Sequence, residues 1–212
     1  MKGLILNNLY SVERSIRFST FLSIILIVGL LLIQQSFSVR IAAFLPFLLI
    51  PVNAFEVLKL DQLSGWNKFE ITLPVKRHQI ILSKYVIFLL LFLLGAILSI
   101  LLFYIIKLFI SFSFTLLFFN YLLRGMGMVL CLAVIVYPLT FILGTEKSDI
   151  IMLCSMGFAF SMYGLVFALL QLTAGSIDNF DIIFSMSFLS ISIILLIMSY
   201  VVSTIVYKHK EF

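Results

Sequence analysis

The fold is decided by a basic segment that leads directly into a long apolar one: TLPVKRHQIILSKY at residues 72–85, then VIFLLLFLLGAILSILLFYIIKLF at residues 86–109. A helix needs about 20 apolar residues to cross the hydrocarbon core of a bilayer, and the second segment is long enough. The first segment carries Lys76, Arg77 and Lys84, which belong in water or at a membrane surface. Together the two segments predict a membrane-spanning chain with a basic loop beside one of its spans.

Composition extends this prediction to the whole chain. Hydrophobic residues make up 63% of the sequence and charged residues 11%, with a mean hydropathy of +1.26. Soluble domains have roughly 25% charged residues, so lipid must face much of this chain. Its 212 residues suit a single membrane domain, 1–212, without an added soluble enzyme domain. The net charge of +5 does not indicate nucleic-acid binding, because the basic residues lie in loops and tails rather than on one face.

Six apolar runs predict an all-α polytopic membrane fold with six transmembrane helices. Their bounds are 18–33, 41–58, 85–109, 121–143, 150–170 and 182–207. The first two are the weakest, being short or interrupted by proline. Residues 3–17 place their apolar side chains on one helical face, which predicts an N-terminal helix lying in the membrane interface. Residues 59–84 form a polar loop between the second and third spans.

The distribution of lysine and arginine predicts the orientation, since basic residues are enriched in cytoplasmic loops. Eleven lie on one predicted side of the membrane and three on the other. The eleven are Lys2, Arg14, Arg17, Lys59, Lys68, Lys76, Arg77, Lys84, Lys147, Lys208 and Lys210, and the three are Arg40, Lys107 and Arg124. Both termini and the loop 59–84 are therefore expected to face the cytoplasm.

No pattern of catalytic residues indicates an enzyme. His78 and His209 both lie outside the predicted spans, and the sequence contains no H-E-x-x-H or G-x-S-x-G motif. The serines of the sixth span have no base at membrane depth, and no metal site is expected. Ion-coupled transport is disfavoured as well, because the middle of every predicted span is uncharged. Glu56 is the nearest candidate, and it lies toward the cytoplasmic end of the second span.

The fifth span carries a stripe of small residues at helical spacing, formed by Gly157, Ser161, Gly164 and Ala168. Small residues allow close approach of membrane helices. Two interpretations remain open at this point, packing within one subunit and a dimer seam.

The loop segment around Pro74 has the pattern of a short amphipathic helix. Proline suits the first turn of a helix, which predicts that Pro74 begins a helix over 75–84. Such a helix could lie on anionic lipid, or it could insert into a groove on a cytoplasmic protein. Periodicity alone does not choose between these two.

The loop resembles that of ABC-2 type permeases, the six-span membrane subunits of ATP-binding-cassette exporters. Their typical pattern is Ser/Thr-Leu-Pro, a variable pair including Arg, an apolar pair, then Lys-Tyr leading into the third span. The matching residues are Thr72, Leu73, Pro74, Arg77, Ile80, Lys84 and Tyr85. The six-span layout and the N-terminal interfacial helix fit as well, so the resemblance covers the whole chain. Within the family, length and loop sequence are most similar to permease subunits of the phenol-soluble modulin exporter.

The resemblance implies a mechanism and a set of partners. The short helix after the second span would be a coupling helix, with Leu73, Pro74, Arg77, Ile80 and Lys84 contacting a separate ABC ATPase subunit. ATP and Mg would be bound by that partner, because this chain has no G-x-x-x-x-G-K-[ST] motif and no cofactor site of its own. A second permease copy or a related permease would complete an exporter in the bacterial plasma membrane.

The cargo expected from this interpretation is amphipathic or hydrophobic, since no charge is predicted at membrane depth to bind a strongly ionic solute. A peptide toxin, an antimicrobial peptide, a drug or a lipid would fit. The main alternative is a membrane immunity or peptide-binding protein that works without an ATPase. An accessory subunit that stabilises another permease and an unfamiliar membrane enzyme are further alternatives.

Overall fold

A computed structural model describes residues 2–32, 36–109, 116–174 and 180–209, and helices make up nearly all of this part of the chain. The helices are α1 Lys2–Ser11, α2 Glu13–Leu32, α3 Ser36–Leu63, α4 Trp66–Thr72, α5 Arg77–Phe109, α6 Leu116–Leu143, α7 Ser148–Ala174 and α8 Phe180–His209, with a 3₁₀ turn at Thr145–Lys147 before α7. The predicted all-helical class is therefore confirmed over the described residues.

Four helices in the described ranges are long and apolar enough to cross a membrane. Their spans are Arg77–Leu102, Phe119–Leu143, Thr145–Thr173 and Phe180–Lys208, which correspond to the third to sixth predicted spans. The first two predicted spans, 18–33 and 41–58, lie mostly on α2 and α3, with residue 33 outside the described part. They form helices but are not among the four, so their crossing of the membrane stays a prediction.

The bundle is organised around α6, which packs against α3, α7 and α8. In the most apolar 18-residue stretch of α6 61% of residues are buried, against 22% in that of α7, so α7 lies at the periphery. Close packing of α6 on α8 depends on Gly127, where a Cβ atom would stand only 2.6 Å from the Phe188 ring. Phe188 is itself fully buried and stacks edge-on with Tyr163 of α7, so its ring has little room to move.

The predicted N-terminal helix over 3–17 is divided in the structure. α1 ends at Ser11 and α2 begins at Glu13, so the second half of the predicted segment belongs to the first long helix. The predicted apolar face is partly covered by protein: Val12 is buried, Ile5, Leu9 and Ile16 are half-buried, and α1 packs against α5. Asn8 is buried as well and donates a hydrogen bond to Ser83 Oγ at 3.4 Å. Tertiary packing thus covers part of the predicted face, and the position of this segment in the membrane interface stays a prediction.

Replacing Gly127 by alanine is expected to destabilise the bundle by about 1–3 kcal/mol, because the added methyl group would overlap the confined Phe188 ring. Thermal unfolding in detergent would measure the change. Gly29 on α2 is the matched control: a Cβ atom added there would meet no neighbouring atom within 4 Å, so Gly29→Ala should be neutral or slightly stabilising. Equal destabilisation of both variants would contradict this account of the α6–α8 contact.

Candidate functional site

The polar loop folds into a compact elbow between α3 and α5. Gly65, in the left-handed conformation with φ 72°, reverses the chain after α3, and α4 follows at once. Leu73 is extended, as expected for a residue before proline, and this ends α4. α5 then begins at Arg77, where the backbone N–H of Lys76 donates to Gln79 Oε1 at 3.3 Å.

The predicted helix over 75–84 is therefore wrong in its boundaries. Pro74 does not begin a helix, since residues 73–76 are irregular. Arg77 instead begins the helix that continues without interruption to Phe109. The separate short helix of the loop is α4, which lies upstream of the predicted one.

The five predicted contact residues divide into two groups. Pro74 and Arg77 are exposed and Leu73 is half-buried, so these three are available to a partner. Ile80 is fully buried and Lys84 is 4% exposed, so neither side chain can contact another protein in this structure. Their assignment as ATPase contacts is corrected: both residues hold the elbow onto the bundle from within.

A buried ion cluster, formed by Asp61, Glu70 and Lys84, lies beneath α4. The Lys84 ammonium donates to Asp61 Oδ2 and lies 3.4 Å from Glu70 Oε2. All three side chains are at most 6% exposed. Each comes from a different helix, Asp61 from α3, Glu70 from α4 and Lys84 from α5, so the cluster ties the elbow together. Removing one partner of such a cluster is costly, because it leaves a charge buried without compensation.

Glu70 is the member of the cluster that sequence reasoning missed. Its pKa is raised above the usual value of 4.5, chiefly because burial removes water from the carboxylate; Lys84 lowers the pKa and Asp61 raises it. In sequence Glu70 is one polar residue in a polar loop, with no regular spacing to Asp61 or Lys84. Only the three-dimensional fold brings these charges together.

Further hydrogen bonds connect the elbow to the rest of the bundle. Arg77 donates to the backbone carbonyl of Lys208 at the end of α8, at 2.9 Å. Gln62 Oε1 accepts a hydrogen bond from the backbone N–H of Thr145, at 2.9 Å, in the turn between α6 and α7. Tyr137 of α6 donates to the backbone carbonyl of Lys84 at 3.1 Å. The elbow is thereby attached to α6 and α8 as well as to α3 and α5.

The outer side of the elbow combines apolar and basic side chains. Phe69 is 54% exposed and Leu63 is 75% exposed, although both are large hydrophobic residues. We call this side the docking surface; its members, all of them exposed, are Leu63, Lys68, Phe69, Pro74, Lys76 and Arg77. Exposed large apolar side chains together with exposed basic ones in the same loop are typical of a protein interaction site.

The small-residue stripe of α7 faces outward. Gly157, Ser161, Gly164 and Ala168 are all exposed, and a Cβ atom at either glycine would meet no neighbouring atom within 4 Å. Of the two interpretations left open by the sequence, packing within this chain is not what the structure shows. Cys154 is exposed one turn before Gly157 and continues the stripe.

Replacing Lys84 by methionine is expected to destabilise the chain by about 3–5 kcal/mol, because the buried carboxylate of Asp61, and that of Glu70 when it is ionised, would lose their cation. Lys76→Met, at an exposed position of the same loop, should change stability little. Thermal unfolding in detergent would compare the two. If the triple variant Asp61→Asn, Glu70→Gln, Lys84→Met were no more stable than Lys84→Met alone, uncompensated charge would not be the cause.

Comparison with known families agrees with this architecture. A family model described as ABC-2 family transporter protein matches residues 3–208, which is nearly the whole chain. No significant match is found among curated proteins or among solved structures. The members of this family are non-catalytic membrane permeases that normally work with a separate ATP-binding subunit. The chain, a multi-pass membrane protein with a surface elbow fixed to its helix bundle, therefore belongs to the ABC-2 family of transporter proteins.

Proposed function

We propose that this chain is the permease subunit of an ATP-driven exporter and that the docking surface on its elbow contacts the separate ATPase. The observation that carries the proposal is the pairing of an exposed apolar and basic surface with a buried ion cluster directly beneath it. A partner that binds such a surface can push on the elbow without detaching it from the bundle, because the ion cluster holds the elbow in place. ATP and Mg belong to the partner in this proposal, since this chain has no nucleotide-binding loop.

α5 supplies a direct route from the docking surface to the membrane. The helix begins at Arg77, on the surface, and includes the span Arg77–Leu102 without a break. Ile80 and Lys84 anchor its first turns in the core. A displacement of the elbow by the ATPase would therefore move α5 as a rigid body, together with α8, whose Lys208 carbonyl accepts a hydrogen bond from Arg77.

A cavity beside α3 supports an amphipathic or hydrophobic cargo. It has a volume of about 490 Å³ and lies among α3, the end of α6 and the start of α7. Its walls are largely apolar, and they carry Glu56, Lys59 and Asp149 as charged groups. A peptide toxin, an antimicrobial peptide, a drug or a lipid has the mixed character that such a lining would accept. The phenol-soluble modulin exporter type stays a prediction within this range.

We place the exporter in the bacterial plasma membrane, with both termini in the cytoplasm and a second permease copy or a related permease as partner. The orientation rests on the distribution of Lys and Arg. The outward stripe on α7 supports a helix–helix seam with the second permease, because small residues permit close contact between membrane helices. An ATPase-independent immunity or peptide-binding protein remains the alternative that the following experiment would reveal.

Reversing the charge of Lys68 and Lys76 is expected to abolish recovery of an ATPase with the tagged chain from native membranes, because both lysines lie on the docking surface. Phe69→Ser should weaken recovery through loss of apolar contact. Affinity purification in mild detergent would measure the ratio of ATPase to permease, with export tested in cells.

Lys147→Glu is the matched control, an exposed charge reversal on the neighbouring turn outside the docking surface. Its recovery of the ATPase should equal that of the unaltered chain. Unchanged recovery in the Lys68 and Lys76 variant would refute the docking surface. A chain that never recovers an ATPase would favour the immunity or binding alternative.

Oxidation of native membranes is expected to produce a disulfide-linked dimer through Cys154, if α7 forms the seam of a homodimer. Cys131 is fully buried, so Cys154 is the thiol available for the reaction. Gel mobility without reductant would detect the product, and Cys154→Ser should remove it. The control Cys154→Ser with Leu153→Cys moves the thiol about 100° around the helix and should cross-link poorly. Equal cross-linking of both chains would argue against a seam on this face.

A further inference from the structure

The ion cluster contains more negative than positive charge. Asp61 and Glu70 contribute two carboxylates, and Lys84 contributes one ammonium group. Lys84 donates its hydrogen bond to Asp61, whereas its contact with Glu70 is longer, at 3.4 Å. Glu70 is therefore the surplus anion of the cluster. A surplus charge is costly where burial removes it from bulk water.

The Glu70 carboxyl is also the least satisfied polar group of the cluster. Its side chain is 1% exposed, and within the described residues neither of its oxygens has a well-aligned hydrogen bond. The buried indole N–H of Trp66 and the Lys84 ammonium are the donors that face it, and both lower its pKa, by less than burial raises it. A cavity of about 50 Å³ adjoins it, lined by oxygen-bearing side chains including Gln62 and Thr140. This space can hold a water molecule, but it is too small for a larger ligand.

The groups that face Glu70 come from every helix around it. Asp61 lies on α3, and Lys84 on α5. Arg77, at the start of α5, and Tyr207, on α8, lie close enough to act electrostatically within the same site. α6 adds Thr140 and Phe141, neither of which titrates. Among the described residues the cations near this site are Arg77, which lies at the exposed edge, and Lys84, which donates its hydrogen bond to Asp61.

We propose that the ion cluster is a proton-binding site, in which Glu70 takes up one proton from water and thereby makes the buried cluster neutral. The resulting carboxylic acid has an O–H group, which can donate a hydrogen bond to a water in the adjoining cavity or to an oxygen atom of its lining. With the proton bound, one anion faces one cation and α4 is held firmly against α3 and α5. Release of the proton leaves an uncompensated charge beneath α4 and loosens that helix.

The pKa of Glu70 agrees with this geometry in direction. Burial raises the pKa most strongly, Lys84 lowers it, and Asp61 raises it again. A carboxyl whose folded pKa lies above its unfolded value of 4.5 binds a proton more tightly in the folded state. Its contribution to stability is complete below pH 4.5 and is lost as the pH rises through the folded pKa. Because α4 carries the docking surface, this site would make ATPase coupling sensitive to cytoplasmic pH, a consequence that rests on the proposed function.

The test is hydrogen exchange of the backbone amides in α4, measured by mass spectrometry on the full-length chain in lipid nanodiscs from about pH 5 to about pH 8. Unaltered chain and Glu70→Gln are compared at the same pH, so that intrinsic exchange rates cancel. The two should agree at the acidic end. Above the folded pKa of Glu70, protection of the unaltered chain should fall relative to the variant, by up to about tenfold per pH unit.

Charge counting supplies a second variant. Asp61→Asn leaves one anion for one cation, so no proton is needed and the pH dependence of α4 should largely disappear there too. Glu146→Gln, on the exposed turn Thr145–Lys147, is the control and should keep the full dependence of the unaltered chain. An infrared carbonyl band of a protonated carboxyl should be present in the unaltered chain and absent in Glu70→Gln, whatever the stability of either protein.

Three results would overturn the proposal. The first is an unaltered chain whose α4 protection follows Glu70→Gln at every pH. The second is a pH dependence that persists in Glu70→Gln and in Asp61→Asn. The third is that α4 is better protected in Na⁺ or K⁺ than in a bulky organic cation at equal ionic strength, while pH has no effect. That result would assign the missing positive charge to a metal ion. No ATPase takes part in these measurements, so their failure is distinct from failure of the exporter proposal.

Discussion

Lys84 lies just before the long apolar part of α5 and is buried, where a lone ammonium group would be strongly disfavoured. Its burial requires Asp61 at the end of α3, and the same ammonium draws in Glu70 from α4. These contacts fix where α4 lies, how the chain reverses at Gly65 and which side of the elbow remains exposed. The docking surface exists in its observed form because its inner side is held by charge.

The elbow and the bundle form one mechanical unit for a related reason. In lipid the backbone donors and acceptors of a helix are satisfied within the helix, so helices move as stiff bodies. Side-chain hydrogen bonds then decide which bodies move together. Tyr137 links α6 to α5, Arg77 links α5 to α8, and Gln62 links α3 to the turn before α7. A short surface segment is in this way attached to four long helices, which suits the role expected of an ABC-2 permease.

Prediction from the sequence was accurate where a local pattern of residues determines the structure. The third to sixth spans were predicted close to their observed positions, because a long apolar run has few alternatives to a membrane helix. The outward stripe of α7 could be located from spacing alone, although its direction could not. Pattern failed at the loop, where Pro74 suggested a helix start and the chain instead became extended at Leu73. It failed again at residues 3–17, where the single predicted helix is divided between α1 and α2.

The amino-acid sequence by itself determined the class of protein, the long apolar helices and the presence of a basic loop, because hydropathy and helix periodicity act over neighbouring residues. The tertiary structure alone decided which loop residues face a partner and which are buried. Ile80 and Lys84 belong to the same motif as Pro74 and Arg77, yet they lie on the inner side of the elbow. Lys84 forms an ion pair with Asp61, which is 23 residues away in sequence. Its contact with Glu70 depends on where the separate helix α4 packs. Such long-range contacts depend on how the helices pack against one another, which no local sequence pattern specifies.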